Sequence, residues 1–218
     1  MSEDRQNLPR FLVVEGPIGV GKTSLVRRLA EYFKVETLLE GAEENPFLKR
    51  FYENPREAAL PAQLFFLFQR SQQWGGLVQN DMFREHLIAD FMLEKDRLFA
   101  QINLDDDEMR LYEQVYDQLT LHAPPPDLVV YLQAPVDTLM QRIRQRARPQ
   151  ERTITAKYLQ RLCDAYADFF YYYDRSPLLI INAAEINPLQ RDEDFQLLIQ
   201  HIISEGADRR YLNPSLTL

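Results

Sequence analysis

The segment Gly16-Pro17-Ile18-Gly19-Val20-Gly21-Lys22-Thr23 constrains this chain more than any other, because it fits G-x-x-x-x-G-K-[ST] and stands between a strand-like run and a helix-like one. Holding phosphate oxygens takes several backbone N–H groups converging on one point, and glycine lets the chain turn with positive φ and come close to an anion. Gly16, Gly19 and Gly21 supply that freedom, with Pro17, Ile18 and Val20 completing the loop. Lys22 is placed to reach the β- and γ-phosphates of ATP and Thr23 to ligate Mg2+, while the helix starting there directs its positive end at the anion. The loop specifies the nucleotide and leaves the acceptor open. No N-K-x-D segment for guanine is present, which weighs against a GTPase.

Residues 10–15, 35–39, 86–90, 128–132 and 178–182 have strand character, and helical periodicity fills most of the spans between them. Strands alternating with longer amphipathic segments require crossover connections. The pattern therefore predicts an α/β chain of the P-loop NTPase fold: a five-stranded, mainly parallel sheet with helices on both faces. With 218 residues, 45% of them hydrophobic, one substantial core is affordable, and a single domain over 1–218 is expected. Residues 22–33 repeat apolar side chains at Leu25, Val26, Leu29, Ala30 and Phe33, the stripe of a helix lying on a sheet. A second helix is predicted over 56–74, with Pro61 in its first turn or at a kink, and another over 105–121, opened by three aspartates and stopped by Pro124-Pro125-Pro126. The tail from Gly206 onward carries no assignment.

The 33 acidic and 25 basic side chains give a formal net charge of -8, which argues against a general nucleic-acid binder and for a local basic pocket suited to a small anion such as a nucleotide. A single cysteine, Cys163, excludes an intrachain disulfide, and three scattered histidines offer no zinc spacing. Residues 1–9 lack the apolar core of a signal peptide and no run of 18 apolar residues follows, so the expected location is cytoplasmic, without membrane contact.

A second constellation follows the second predicted strand, Glu40-Gly41-Ala42-Glu43-Glu44-Asn45-Pro46-Phe47-Leu48 running to Phe51-Tyr52-Glu53-Asn54-Pro55. A carboxylate just past a strand end and near the phosphate loop could take the proton from an attacking hydroxyl, which makes Glu40 the candidate general base; a solvated loop residue is the alternative. Gln63 and Arg70 lie two helical turns apart and project from one face. Leu64, Phe65, Phe66, Leu67 and Phe68 surround them, leaving that helix little solvated face. Arg142, Arg144, Arg146 and Arg148 follow the fourth strand, and Arg142 and Arg146 share a helical face. Such arginines could close over ATP, or could be no more than an exposed basic helix.

Taken with the loop, these segments resemble the deoxynucleoside kinase family over nearly the whole chain, in particular its bacterial deoxyadenosine and deoxyguanosine kinase branch. The resemblance implies ATP-dependent phosphorylation of a deoxynucleoside on its 5′-hydroxyl by a homodimer, with purines preferred. It implies Glu40 as base, Tyr52 at the sugar 3′-hydroxyl, and Gln63 and Arg70 on the nucleobase edge with Asp96 pairing Arg70. It also implies a lid over about 142–152 carrying Arg142, Arg146 and Arg148, and Glu151 at the sugar. Asp90, at a strand end, would hold Mg2+ through water, although Tyr52 could equally be a core residue. The family pattern continues from an acid into an arginine that positions the acceptor hydroxyl; here the sequence is Asp90-Phe91-Met92, so either Lys95, Arg97 or a lid arginine covers that role or the enzyme is intrinsically slow with ordinary nucleosides. The run Phe169-Phe170-Tyr171-Tyr172-Tyr173 is read as core packing plus a subunit contact, not a base-stacking platform, because five neighbours point around a helix.

Two rival functions remain at this level. A nucleoside monophosphate kinase shares loop and lid but needs further cations for an acceptor phosphate, so turnover of a nucleoside against its monophosphate separates the two. A catalytically weak ATP-binding regulatory protein, which Phe91 favours, would bind ATP without nucleoside-dependent ADP release.

Overall fold

Because all five neighbouring strand pairs run parallel, every connection between them must be a crossover. In this computed structural model, which describes residues 2–79, 86–119, 124–204 and 206–213, the strands are β1 (Phe11–Glu15), β2 (Glu36–Leu38), β3 (Leu87–Ala89), β4 (Leu128–Gln133), β5 (Leu178–Asn182) and β6 (Arg209–Leu212). Their spatial order is β2-β3-β1-β4-β5-β6. After α1 (Ser2–Gln6), which precedes the first strand, the crossovers are made by α2 (Lys22–Phe33), α3 (Leu48–Glu53), α4 (Pro55–Gln79), α5 (Glu94–Asn103), α6 (Asp106–Leu119), α7 (Val136–Arg146), α8 (Ala156–Tyr172) and α9 (Asp192–Ile203).

The α/β class and parallel sheet are as expected, but the sheet has six strands where five were predicted. The sixth, β6, lies in the tail that carried no assignment. It reads Arg-Arg-Tyr-Leu, with Leu212 buried and Tyr211 exposed, so an edge strand shows neither an apolar run nor a clean alternation. Its arginines are stems against neighbouring chain ends: Arg209 donates to the Tyr173 carbonyl at 2.9 Å and Arg210 to that of His201 at 2.7 Å.

The central strands are apolar on both faces because helices cover both. All five residues of β1 are buried, as are the first five of β4. From α2 the predicted stripe Leu25, Val26, Leu29, Ala30 and Phe33 is buried against this sheet. The second predicted helix is longer at both ends than its periodicity suggested, beginning at Pro55 and continuing through Gly75 and Gly76, with Pro61 in its second turn. Asp105 stands just outside α6 as its cap: its carboxylate accepts from the N–H groups of Asp107 and Glu108, while Glu108 accepts from the N–H of Asp105. Residues 120–121 of that predicted helix lie outside the described residues. The aromatic run ends α8, where Phe170 and Tyr173 are buried, Phe170 stacking on Tyr131 at 4.2 Å, while Tyr171 and Tyr172 face outward. Among the described residues no helix is long and apolar enough to cross a membrane.

The chain leaves β1 towards β2 and β3 on one side and later crosses to β4 and β5 on the other. β1 thus sits at the switch point, where a crevice opens beyond the strands' carboxyl ends.

Candidate active site

The phosphate loop occupies that crevice, between the end of β1 and the first turn of α2. Gly16 holds φ 147, and a Cβ there would lie 2.4 Å from the Leu132 carbonyl oxygen; a Cβ on Gly19 would lie 2.8 Å from Ile143. The loop is therefore clamped between the β4 backbone and α7 so closely that only glycine fits at these two positions. Lys22 folds back over it, donating to the Gly16 carbonyl at 2.7 Å. Burial and then repulsion from Lys95 bring its ammonium down to about 8. Beneath the loop Glu15 is fully buried; its carboxylate accepts from the N–H groups of Gly16 and Met92, each at 3.0 Å, and from the Tyr166 hydroxyl at 3.0 Å. Burial raises this carboxyl above its usual range.

Asp90, directly after β3, joins the loop to the Glu40 segment. One carboxylate oxygen accepts from the Thr23 hydroxyl at 2.5 Å and the other from the Glu40 N–H at 2.8 Å. Threonine hydroxyl and aspartate carboxylate thus converge as hard oxygen donors beside the phosphate loop. That set fits magnesium, which takes one or two protein oxygens and completes its shell with phosphate and water.

Glu40 itself is a cavity-floor residue, its side chain 16% exposed, which sets aside the solvated-loop alternative. Lys95 from α5 donates to both its oxygens, at 3.0 and 2.9 Å, and Arg70 from α4 donates to Oε1. Burial opposes its charge, yet Lys95 and Arg70 more than offset this and hold the carboxyl far below the ordinary carboxylate range. Arg70 also donates to Asp96, and its guanidinium lies over the rings of Phe66 and Phe91, 4.9 and 5.7 Å away. The predicted Arg70–Asp96 unit is present and wholly buried, with Glu40 as a third member.

A cavity of about 420 Å³ extends from the phosphate loop over Glu40 to α4, within the range of small-molecule sites. Gln63, Arg70 and Tyr52 line it together, as do Arg146, Arg148 and Glu151 from the segment after β4. Gln63 is buried with its carbonyl oxygen unpartnered, and Asp96 Oδ1 and Arg70 Nε are likewise unpartnered. Buried polar atoms without partners are few in proteins. Of these residues Gln63 and Arg70, both on α4, line the cavity, where a polar ligand edge would satisfy them.

The arginines of the expected lid divide. Arg146 grips the buried Glu151 with both ends of its fork at 2.7–3.0 Å, and Arg148 lies 3.9 Å from Glu151 and 4.0 Å from Glu43. Arg142 lies instead on the loop's outer flank, donating to the Val20 and Ala183 carbonyls at 3.0 and 2.8 Å. The structure does not bring it into the cavity with the other two. One functional-looking residue, Glu15, escaped the sequence reading, and a second, Lys95, was named there only as one of several cations. Glu15 had a legible signal, a charged residue closing an apolar strand immediately before the first glycine; Lys95, one of three cations weighed as cover for Phe91, looked like any solvated lysine in a helix's first turn.

Comparison with known proteins bears on the whole of this arrangement. The family model described as "Deoxynucleoside kinase" matches residues 12–205. The deoxyguanosine kinase of Bacillus subtilis (strain 168) is 34% identical over 161 residues, covering 73% of this chain and 78% of the relative. That of Lactobacillus acidophilus is 28% identical over 208 residues, 89% of this chain and 90% of the relative. In fold, the chain is similar to the deoxyadenosine kinase from M. mycoides with bound dATP, with a TM-score of 0.77 at 24% identity over 89% of this chain and 100% of that one. Since the matched span takes in the phosphate loop, the Glu40–Arg70–Asp96 floor and the lid alike, this chain is a kinase that belongs to the deoxynucleoside kinase family.

Proposed function

We propose that the protein transfers the γ-phosphoryl group of ATP to the 5′-hydroxyl of a deoxynucleoside, with purine deoxynucleosides preferred. One observation carries this reading: an anionic Glu40, held by two cations, faces the same cavity as the loop lysine and the unpartnered Gln63 carbonyl oxygen. Phosphate, hydroxyl and base can then be held at once in one enclosed space. The names of the relatives, deoxyguanosine and deoxyadenosine kinases, support the purine preference.

ATP phosphates bind the loop N–H groups and Lys22, with Arg146 and Arg148 supplying charge from the cavity wall. Arg142 reaches them only by exchanging the Val20 and Ala183 carbonyls for phosphate oxygens. Bound magnesium, held by Thr23 and Asp90, would neutralise charge on the phosphate oxygens. Gln63, whose amide offers donor and acceptor together, and the Arg70–Asp96 pair hold the base edge; Tyr52 and Glu151 hold the sugar. The 5′-oxygen forms its bond to the γ-phosphorus as the bond to the β–γ bridging oxygen breaks. Its proton passes to Glu40, and the products are the nucleoside monophosphate and ADP.

The protein is further proposed to be a cytoplasmic homodimer. Exposed Phe68 on α4, Leu111 on α6 and Tyr171 and Tyr172 at the end of α8 are apolar surface that a subunit contact would cover. The deciding experiment measures ADP release with a panel of eight nucleosides and their monophosphates. Turnover is expected with deoxyguanosine or deoxyadenosine above the others; release dependent on a monophosphate alone refutes the reading.

A further inference from the structure

Lys95 is 4% exposed and sits in the first turn of α5, where the positive helix end repels a cation and burial strips its water. The three residues preceding Glu94, Phe91, Met92 and Leu93, are all buried and apolar. Packing alone would be met by another such side chain. What the ammonium finds instead is Glu40, both of whose oxygens accept from it at 3.0 and 2.9 Å. With the bond from Arg70, three N–H groups converge on one carboxylate from two different helices. Arg70 alone is divided between Glu40 and Asp96, so it cannot fix the Glu40 plane.

We propose that Lys95 is the positioning residue of the proposed phosphoryl transfer, holding Glu40 as an oriented anion at the place where the acceptor hydroxyl must be deprotonated. This rests on the kinase reading above and names a residue through which that site works. Of the cations near Phe91, Arg97 is engaged elsewhere, donating to Glu113 at 2.8 Å on the surface, which leaves Lys95 at the carboxylate. A residue that acts only through Glu40 has a distinctive kinetic signature: its removal matters only while Glu40 is present.

The test is a double-mutant cycle on the full chain, read as kcat and KM for ATP with the best deoxynucleoside. Lys95→Met is expected to lower kcat about tenfold to a hundredfold, less than loss of the base itself, with KM for ATP within about threefold. In the Glu40→Gln background the same change is expected to add less than about threefold, and Lys95→Arg to keep kcat within about tenfold of the parent. Where Lys95→Met fails to fold by circular dichroism, Lys95→Gln is read by the same ratios. Full kcat in Lys95→Met, losses that multiply with Glu40→Gln, or a Lys95→Arg as slow as Lys95→Met would each overturn the proposal. An inactive parent protein would instead overturn the kinase reading before this one.

Discussion

Removing Arg70 should unfold this protein more readily than any single change at its surface. Arg70 is 2% exposed and Asp96 is fully buried. Arg70→Met strands Asp96, whose Oδ2 loses its guanidinium and whose Oδ1 has no partner to fall back on, while Glu40 keeps Lys95. Breaking a buried pair in this way costs about 3–5 kcal/mol. For a chain of this size that corresponds to a fall in Tm of about 6–20 °C. Asp96→Ala should fall at the low end, about 3 kcal/mol, because Arg70 retains Glu40 and the Phe66 and Phe91 faces. The sign of the pH dependence follows from Asp96. Burial already raises its carboxyl, and Arg70 is the chief charge that lowers it, Lys95 adding less. Without Arg70 the folded state holds that proton still more firmly than the unfolded chain does. A carboxyl with a raised folded pKa contributes stability at low pH that is lost as pH rises, so Arg70→Met should lag the parent more at pH 8 than at pH 5.5. Replacing both partners, Arg70→Met with Asp96→Leu, should return stability to within about 2 kcal/mol of the parent while abolishing nucleoside turnover. Urea denaturation of the four proteins at both pH values measures this. Losses below about 1 kcal/mol in both single variants, the scale of an exposed pair, would refute the argument.

Glu40→Gln should lower kcat by roughly 10²–10⁴-fold with ATP affinity nearly unchanged, as steady-state rates and calorimetric titration can show; less than a tenfold loss removes Glu40 as the base. Lys22, brought down to about 8 by burial and Lys95, should regain its proton when ATP phosphates arrive, so ATP binding near pH 8.5 should take up a proton and weaken as pH rises further. Calorimetry in buffers of different ionisation enthalpy reads this directly: buffer-independent heats refute it, and Lys22→Ala should be folded, inactive and without proton uptake.

The phosphate loop, the parallel α/β architecture and the face shared by Gln63 and Arg70 were legible because each is local: spacing of glycines around a lysine, alternation of short apolar runs with longer periodic ones, and a seven-residue step on one helix. What escaped was set by partners distant along the chain. β6 is a strand because β5 offers it an open edge, not because of its own composition. Arg142 shares a helical face with Arg146, yet Val20 of the phosphate loop and Ala183, just after β5, supply carbonyls that hold it outside the cavity. Phe91 suggested a missing cation, whereas the structure shows a fully buried ring below Arg70, with a charge arriving from one helical turn onward.

The sequence by itself therefore determined which chemistry is available: a phosphate-binding loop, a carboxylate past the second strand, arginines after the fourth. Only the tertiary structure decided how those groups are charged and aimed, since Glu40 is held as an anion chiefly because α4 and α5 bring Arg70 and Lys95 to it from 30 and 55 residues away. The physical reason is that backbone propensity and periodicity act over a few residues, whereas desolvation and Coulomb interaction depend on which groups burial places side by side.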